Sequence, residues 1–430
     1  MTHPTTVASS TSRTLIPASG VVLGFGAALD CEIRWDASVL SDLARSYGVV
    51  PDELVGQRPI CSERDLVVSI MGYFTRSAGG ERRVDEPQVI EEFCARFDRV
   101  ASIGGTCVRA AAAMLRLGQQ ATVHLAFESD QVLGLLPPGT QALVPDVDLP
   151  SYPHLVVQYP AGARVVTDRL ELVATRANRL IYVNDPANEE IALSPALPSA
   201  VAGAAVFLVS GFNAMRNLPA LRARLDVVEA AVVQRRASGT EGVVMYEDAG
   251  FHQPEFAEVV RSRMARVVDV YSLSDEELVD AVAASGALDL LDADAVLAAV
   301  STLAARLGVP TVVVHSRHWA LAFGPTAGRY RDALATGTAL ATARYAHGEL
   351  VTHDHITSVA GASPDPAAVA FARRIREIAG EQVTVVAVPT LEVPDPTTVG
   401  LGDTFVGGFL AACARLVDEQ SHPAAAGKAP

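Results

Sequence analysis

The chain is 430 residues long and half hydrophobic, enough to bury the core of one large α/β domain with a smaller one attached. Its 49 acidic residues against 34 basic ones give a formal net charge of −15 with no run of Lys or Arg, which argues against nucleic acid as a partner. Five scattered cysteines (Cys31, Cys61, Cys94, Cys107, Cys413) without a CxxC pair argue against a disulfide framework or structural zinc and make the cytoplasm the expected compartment. No stretch of about 18 uncharged apolar residues is present to span a membrane.

Residues 1–19 are Ser/Thr-rich and lack the apolar core of a signal peptide, so they read as a disordered arm. Short β-branched runs then alternate with Ala- and Leu-rich helical stretches. In chain order the runs are "VVLGFGAALD" (21–30), "ATVHLAF" (121–127), "LIYVND" (180–185), "AAVFLVSG" (204–211), "GVVMYED" (242–248), "RVVDVYS" (266–272), "PTVVVHS" (310–316) and "QVTVVAVP" (382–389). Continuous apolar runs separated by helices predict a doubly wound three-layer α/β sandwich with a parallel sheet. Ligands of such sheets bind outside the carboxyl ends of the strands, where Asp30, Asn184, Asp185, Glu247, Asp248, Ser272 and His315 fall.

Two segments, about 34–90 and 144–180, fit that sheet poorly and are expected to form a smaller discontinuous α/β lid within one domain spanning 20–420. The second contains "LVVQYPAGARVV", read as a hairpin turning at Ala161 and Gly162. Residues 421–430 read as a disordered tail.

The stretch "TTVGLGDTFVGGFLAACARL" (397–416) poses the sharpest question. Phe405, Phe409, Cys413 and Leu416 recur at helical spacing, yet glycine occupies 400, 402, 407 and 408, and each glycine inside a helix costs about 1 kcal/mol relative to alanine. Glycines at 400 and 402 let backbone amides converge at a helix start, whose partial positive charge suits a phosphate. Asp403 then stands where a carboxylate either caps the helix or accepts a proton beside a bound phosphoryl group.

"TVGLGDT" (398–404) resembles the catalytic motif of the ADP-dependent glucokinase and phosphofructokinase family, within the ribokinase-like sugar kinases, while the following "FVGGFL" is more similar to ATP-using ribokinases. The resemblance implies that Asp403 is the catalytic base and that the amides of Gly400, Leu401 and Gly402 form an anion hole. "GFGAALD" (24–30) resembles the strand whose aspartate grips sugar hydroxyls, here Asp30. "IGGTCVRAAAAMLRLG" (103–118) resembles the Gly-Gly stretch at the sugar, here Gly104 and Gly105, with Thr106 where asparagine is usual. "ANRLIYVND" (177–185) implies a phosphate-side arginine at Arg179. "VVMYEDAGF" (243–251) and "SLSDEELVDA" (272–281) are similar to the elements that organise Mg²⁺, here Glu247 and Glu277, with Ser274 in place of asparagine. Glu81 in "SAGGERRVD" aligns with the family's acidic sugar ligand. The resemblance further implies that His315, Val399 and Gly400 lie on the nucleotide side.

Taken singly, these residues keep simpler readings. Asp30 could cap a turn, Glu247 and Asp248 could be a solvated strand end, Arg179 could pair with Asp185, and Glu277 could be a first-turn glutamate beside the helix dipole. His315, His318 and Trp319 in "HSRHWAL" suggest either a metal or cofactor site or a buried strand-end histidine, and the second reading is the simpler. Their joint order implies an Mg²⁺-dependent kinase moving a phosphoryl group from ADP to a sugar hydroxyl, with AMP released. A glucose-like hexose is favoured over fructose 6-phosphate because Glu81 would repel a substrate phosphate. The expected partners are a sugar and an adenine nucleotide, and the expected assembly is a monomer or small homo-oligomer. An ATP-dependent sugar or nucleoside kinase of the same fold, and a non-catalytic sensor, are the alternatives.

Overall fold

A computed structural model describes residues 20–421 except 56–57, 148, 283–287 and 394–395. The arm over 1–19, and the tail beyond Ser421, lie outside the described residues; Ser421 itself closes the last helix. In chain order the strands are β1 (Val21–Leu23), β2 (Ala28–Ile33), β3 (Gly80–Arg83), β4 (Arg99–Gly104), β5 (Thr122–His124), β6 (Gln141–Leu143), β7 (His154–Tyr159) and β8 (Arg164–Val166). There follow β9 (Glu171–Val173), β10 (Asn178–Val183), β11 (Val206–Val209), β12 (Val243–Glu247), β13 (Val270–Ser274), β14 (Thr311–His315), β15 (Trp319–Phe323) and β16 (Val383–Ala387).

Nine of them form the main sheet in the order β16-β15-β14-β13-β12-β11-β1-β5-β6. Successive residues alternate between two cores: Val312 and Val314 enter one, Val313 the other, and helices cover both faces. This is the layered architecture that uninterrupted Val/Leu runs dictate, since a strand buried on both faces has no polar side. The sheet is parallel except at one edge, where β15 pairs antiparallel with β14 and β16. The strand β15 hides in "HWALAF", in which Trp319 is fully buried and stacks on Phe371.

Other boundaries also differ from the sequence reading. "VVLGFGAALD" is two strands, β1 in the main sheet and β2 in a second one, and "LIYVND" lies in that second sheet as the end of β10. The smaller sheet has the order β3-β10-β7-β2-β4, so it draws on residues outside 34–90 and 144–180 as well as within them. The turn at Ala161 and Gly162 exists, with Gly162 at φ +79°, but no hairpin joins its flanks. β7 pairs with β10 and β2, whereas β8 pairs with β9.

The smaller sheet is amphipathic by residue parity. Cys31, Ile33, Leu155, Val157, Tyr159, Leu180 and Tyr182 point into a third core made with the helices Ala37–Ser46, Glu63–Thr75 and Pro87–Cys94. The register pairs Asp30 with His154, Asp30 with Ser102, Arg179 with Gln158 and Ile181 with Glu81. Because successive side chains alternate, Asp30, Glu32, Glu81, Ser102, His154, Gln158 and Arg179 share the opposite, polar face. That face is turned toward the main body, which it meets through contacts such as Arg83 with Glu189 and Glu81 with His252.

Candidate active site

The glycines of the last helix, Leu401–Ser421, have separate causes. Gly400 precedes the helix at φ +69°, a conformation that other residues adopt at a steric cost. A Cβ on Gly407 would lie 2.5 Å from the carbonyl oxygen of Ala110, and one on Gly408 2.8 Å from the Cα of Gly337. The helix is thus wedged by backbone contact between the helices Thr106–Arg116 and Arg331–His347. Alanine at either position would force those backbones apart, an overpacking penalty of about 1–3 kcal/mol. This packing holds the start of the helix, and Asp403 in its first turn, against Arg109 of the neighbouring helix.

A line of alternating charges results. Arg109 Nε lies 3.9 Å from Asp403 Oδ2, and its Nη2 donates to Asp30 Oδ2 at 2.7 Å. His154 Nδ1 is 3.8 Å from Asp30 Oδ1, and its Nε2 meets Asp185 at 3.0 Å. Asn188 in turn donates to Asp185 and to the carbonyl of Ala27, holding the crossing from β1 to β2. Burial pushes the Asp30 carboxyl up, against the opposing pull of Arg109 and His154. Burial also works against a charged His154, but Asp185 and Asp30 outweigh it and raise its pKa. Gly104 and Gly105 stand directly beside this line. A Cβ on Gly104 would collide with the Asp30 carboxylate, and Gly105, at φ +95°, caps the helix that carries Arg109.

A second group lies at the ends of β12, β13 and β14. Glu247 Oε1 contacts His315 Nε2 at 2.9 Å, while Glu247 Oε2 is buried without a hydrogen-bond partner. Glu277 caps its own helix, Asp275–Ala281, accepting from the N–H and hydroxyl of Ser274 at 2.7 Å each. The serine in place of the usual asparagine therefore makes a reciprocal capping box. Burial, and next the nearby Glu247 charge, push Glu277 up to about 7. Burial opposes a charged His315, but Glu247 and Glu277 outweigh it and raise its pKa. The ring sits 4.9 Å from that of Phe405, and a Cβ on Gly402 would be 3.3 Å from its Cε1. His315 thus joins the acidic pair to the glycine turn.

Fit to a divalent cation can be judged from these atoms. No cluster of three or more metal-ligating side chains occurs among the described residues. Magnesium needs no such cage, since it retains waters and uses one or two carboxylates with substrate phosphates. The orphaned Oε2 of Glu247, beside a second carboxylate, fits a hydrated cation of that kind.

Of the remaining candidates, Val399 is buried just before the turn, and its carbonyl accepts from Arg344. Arg179 is exposed on the polar face of the smaller sheet, next to Gln158, whose Oε1 accepts from the Thr398 hydroxyl at 3.5 Å. Asp185 takes His154 and Asn188 as partners, so the pairing of Arg179 with Asp185 does not form. Glu81 faces His252 at 2.7 Å. Asp248 is consumed structurally, accepting from the hydroxyls of Tyr246 and Tyr271 and from Arg261. His318 is bonded to Arg317, away from the acidic pair.

The sequence reading missed Arg109, His154, Asn188 and His252. Arg109 left one signal: it is the lone charged residue in the first turns of an otherwise apolar, alanine-rich helix that follows Gly104 and Gly105. His154 and His252 left none, because only the fold brings them opposite Asp30 and Glu81.

Comparison with known proteins bears on the family and the fold. The ADP-specific phosphofructokinase/glucokinase conserved region matches residues 19–411. No curated protein sequence matches the chain. A phosphofructokinase from Pyrococcus horikoshii OT3, solved with AMP, superposes with a TM-score of 0.72 at 15% identity, covering 94% of this chain and 99% of that one. An ADP-dependent kinase solved with fructose-6-phosphate and ADPβS gives 0.70 at 14% identity, with coverages of 93% and 95%. The adenosine kinase from Sinorhizobium meliloti gives 0.51 at 13% identity, with coverages of 93% and 88%. At such identities the structures speak to the fold, which is ribokinase-like.

Proposed function

This chain belongs to the ADP-specific phosphofructokinase/glucokinase family and is a phosphotransferase, and we propose that it transfers the β-phosphoryl group of ADP to a hydroxyl of an unphosphorylated hexose. The sugar oxygen bonds to the β-phosphorus as the bond to the bridging oxygen breaks. AMP leaves with that electron pair, and the hydroxyl proton passes to Asp403. Amides of Gly400, Leu401 and Gly402 receive the charge on the transferring group. Asp30, Glu81, Gly104 and Gly105 hold the sugar, and Arg179 approaches from the smaller sheet, whose segments 34–90 and 144–180 act as a lid. Glu247 and Glu277 would hold Mg²⁺, which neutralises charge on the diphosphate when bound.

The observation that carries this reading is Asp403 itself, set in the first turn beyond the Gly400 turn and 3.9 Å from Arg109, which is bonded to Asp30 of the smaller sheet. The choice of hexose rests on Glu81. A carboxylate on the sugar-facing side would repel a 6-phosphate, and the nearby Arg83 is already engaged by Glu189 and Asp85. The glycines that resemble ATP-using ribokinases, Gly407 and Gly408, are accounted for by helix packing and carry no information about the nucleotide.

The test is a panel of sugars assayed with ADP and with ATP, with AMP and ADP release followed separately. AMP should appear with ADP and glucose, and turnover with ATP should be poor. Comparable kcat/KM with ATP in ADP-free preparations would instead assign the chain ATP as its donor.

A further inference from the structure

We propose that Arg109 is a catalytic residue, the cation that meets the transferring phosphoryl group from within the main body of the protein. The proposal rests on the reading of Asp403 as base and Asp30 as sugar ligand, and adds a residue that this reading does not use. Three observations converge on the guanidinium.

Its position comes first. Nη2 is anchored on Asp30 at 2.7 Å, whereas Nε stands 3.9 Å from Asp403, close enough to attract and too far to hydrogen-bond. The group therefore spans the gap between the carboxylate assigned to the sugar and the one assigned to its proton. The acceptor oxygen and the phosphorus must meet in that gap.

Its neighbour is the second. An ideal Cβ on Gly400 would lie 2.8 Å from Nη1 and 3.1 Å from Cδ of Arg109. The arginine thus lies against the turn whose amides form the anion hole, and it does so because residue 400 has no side chain. The positive φ of Gly400 and the room it leaves for Arg109 are two separate demands on one position.

The third is its state of bonding. The side chain is only 11% exposed, yet among the described residues its guanidinium makes one hydrogen bond, to Asp30. A guanidinium carries five N–H donors in a planar fork suited to phosphate oxygens. A buried arginine with most donors unspent, lying on an anion hole, has the chemistry of a phosphoryl ligand. The surroundings agree: a phosphoryl group at Gly400 would stand near two carboxyl groups, Asp30 and Asp403, and Arg109 is the cation that lies between them. Arg179 is exposed on the smaller sheet, whereas Arg109 is buried on a helix of the main body, so the two arginines are not interchangeable.

The experiment compares Arg109→Met with wild type in three measurements: KM for ADP, kcat with glucose, and affinity for AMP with aluminium fluoride and glucose, a mimic of the phosphoryl group in flight. The expected result is an ADP KM within about threefold, with kcat and affinity for the mimic each falling by about 10²-fold or more, because a donor aimed at developing charge acts on the transition state alone. Arg109→Lys should recover part of both. Removing Arg109 leaves Asp30 buried beside His154 alone, so the Met variant is also made together with Asp30→Asn. The double variant should show the same further loss of mimic affinity relative to Asp30→Asn alone. Wild-type kcat and mimic affinity in Arg109→Met, with only the glucose KM raised, would overturn the proposal and leave Arg109 a structural partner of Asp30. Near-normal kcat in Asp403→Asn would instead overturn the base assignment, an outcome separable because mimic binding needs no proton transfer.

Discussion

Two carboxylate groups flank the start of the Leu401–Ser421 helix, and they are partnered in opposite ways. In the first, Asp403, Arg109, Asp30, His154 and Asp185 alternate in sign, so each buried charge faces an opposite one. In the second, Glu247 and Glu277 face each other with one histidine between them and the glycine turn, and one oxygen of Glu247 has no partner. The first group is balanced in charge while Arg109 keeps donors free for a ligand, and a site of fixed dipoles and charges needs no reorganisation during reaction. The second is short of positive charge, which is the condition of a site completed by a cation. On the proposed reading, the balanced group aligns the acceptor and the unbalanced one meets the phosphate through a bound cation.

The comparison breaks most severely if the balanced group is not the seat of proton transfer. Asp403→Asn keeps the size and hydrogen-bonding reach of the side chain and removes the base. We expect kcat to fall by about 10² to 10⁴-fold with glucose and ADP binding within a few-fold and the melting temperature nearly unchanged. Near-normal kcat accompanied by a lowered melting temperature would make Asp403 a helix-stabilising residue instead.

His124 sharpens the comparison from a third position. His154 and His315 each face a carboxylate, whereas His124 is fully buried without one. Its Nε2 accepts from the Ser194 N–H at 2.8 Å, which fixes the proton on Nδ1, itself unpartnered. Burial lowers its pKa to about 4. The folded protein keeps the ring neutral down to that pH, while the unfolded chain takes up the proton near 6.5. The unfolded state therefore binds more protons throughout the interval. Stability from this residue is complete above about pH 6.5, falls as pH drops, and is lost below about pH 4, by about 3 kcal/mol at most. His124→Gln, which keeps an acceptor for Ser194, should flatten the acid dependence of the denaturant midpoint in that window. An identical pH dependence in the two proteins would show that the proton is taken up elsewhere.

Sequence alone revealed the parts of this site that repeat locally and hid those that depend on register. The glycine turn and Asp403 are contiguous, and strand-end acids such as Glu247 are marked by the apolar run that precedes them. The smaller sheet was obscured because its strands are collected from five separate stretches and polar residues interrupt each strand. β2 follows β1 with four residues between them, too few to signal a change of sheet in a continuous apolar run. Arg109 acquires its meaning only when glycine packing at 407 brings the last helix against its own, a long-range contact that no local pattern encodes.

The unbalanced group is tested by relieving its excess charge. Glu247→Gln removes one of the two carboxylates while keeping an acceptor for His315. The magnesium concentration for half-maximal activity should rise about tenfold, with glucose binding measured without metal left intact. The same change removes like-charge repulsion from Glu277, so thermal stability should hold or increase slightly. An unchanged magnesium titration would assign both acids to a structural role.

The smallest effect expected concerns Glu81, on which the proposed choice of hexose rests. Glu81 lies on the polar face of the smaller sheet with 40% of its side chain exposed and His252 at 2.7 Å. Because it is half open to water, its field is screened, and its influence on a phosphate several ångströms away amounts to about 1 kcal/mol, or a few-fold in KM. Glu81→Gln removes the charge and keeps the hydrogen-bonding shape. It should therefore raise the KM for glucose modestly, through loss of a charged acceptor for sugar hydroxyls, and lower the KM for fructose 6-phosphate, through loss of repulsion. A movement of the two KM values in opposite directions is what separates a selectivity role from general damage to the lid, which would raise both. If fructose 6-phosphate is already the better substrate of the unaltered protein, Glu81 does not exclude phosphate, and its contact with His252 serves to hold the smaller sheet against the main body.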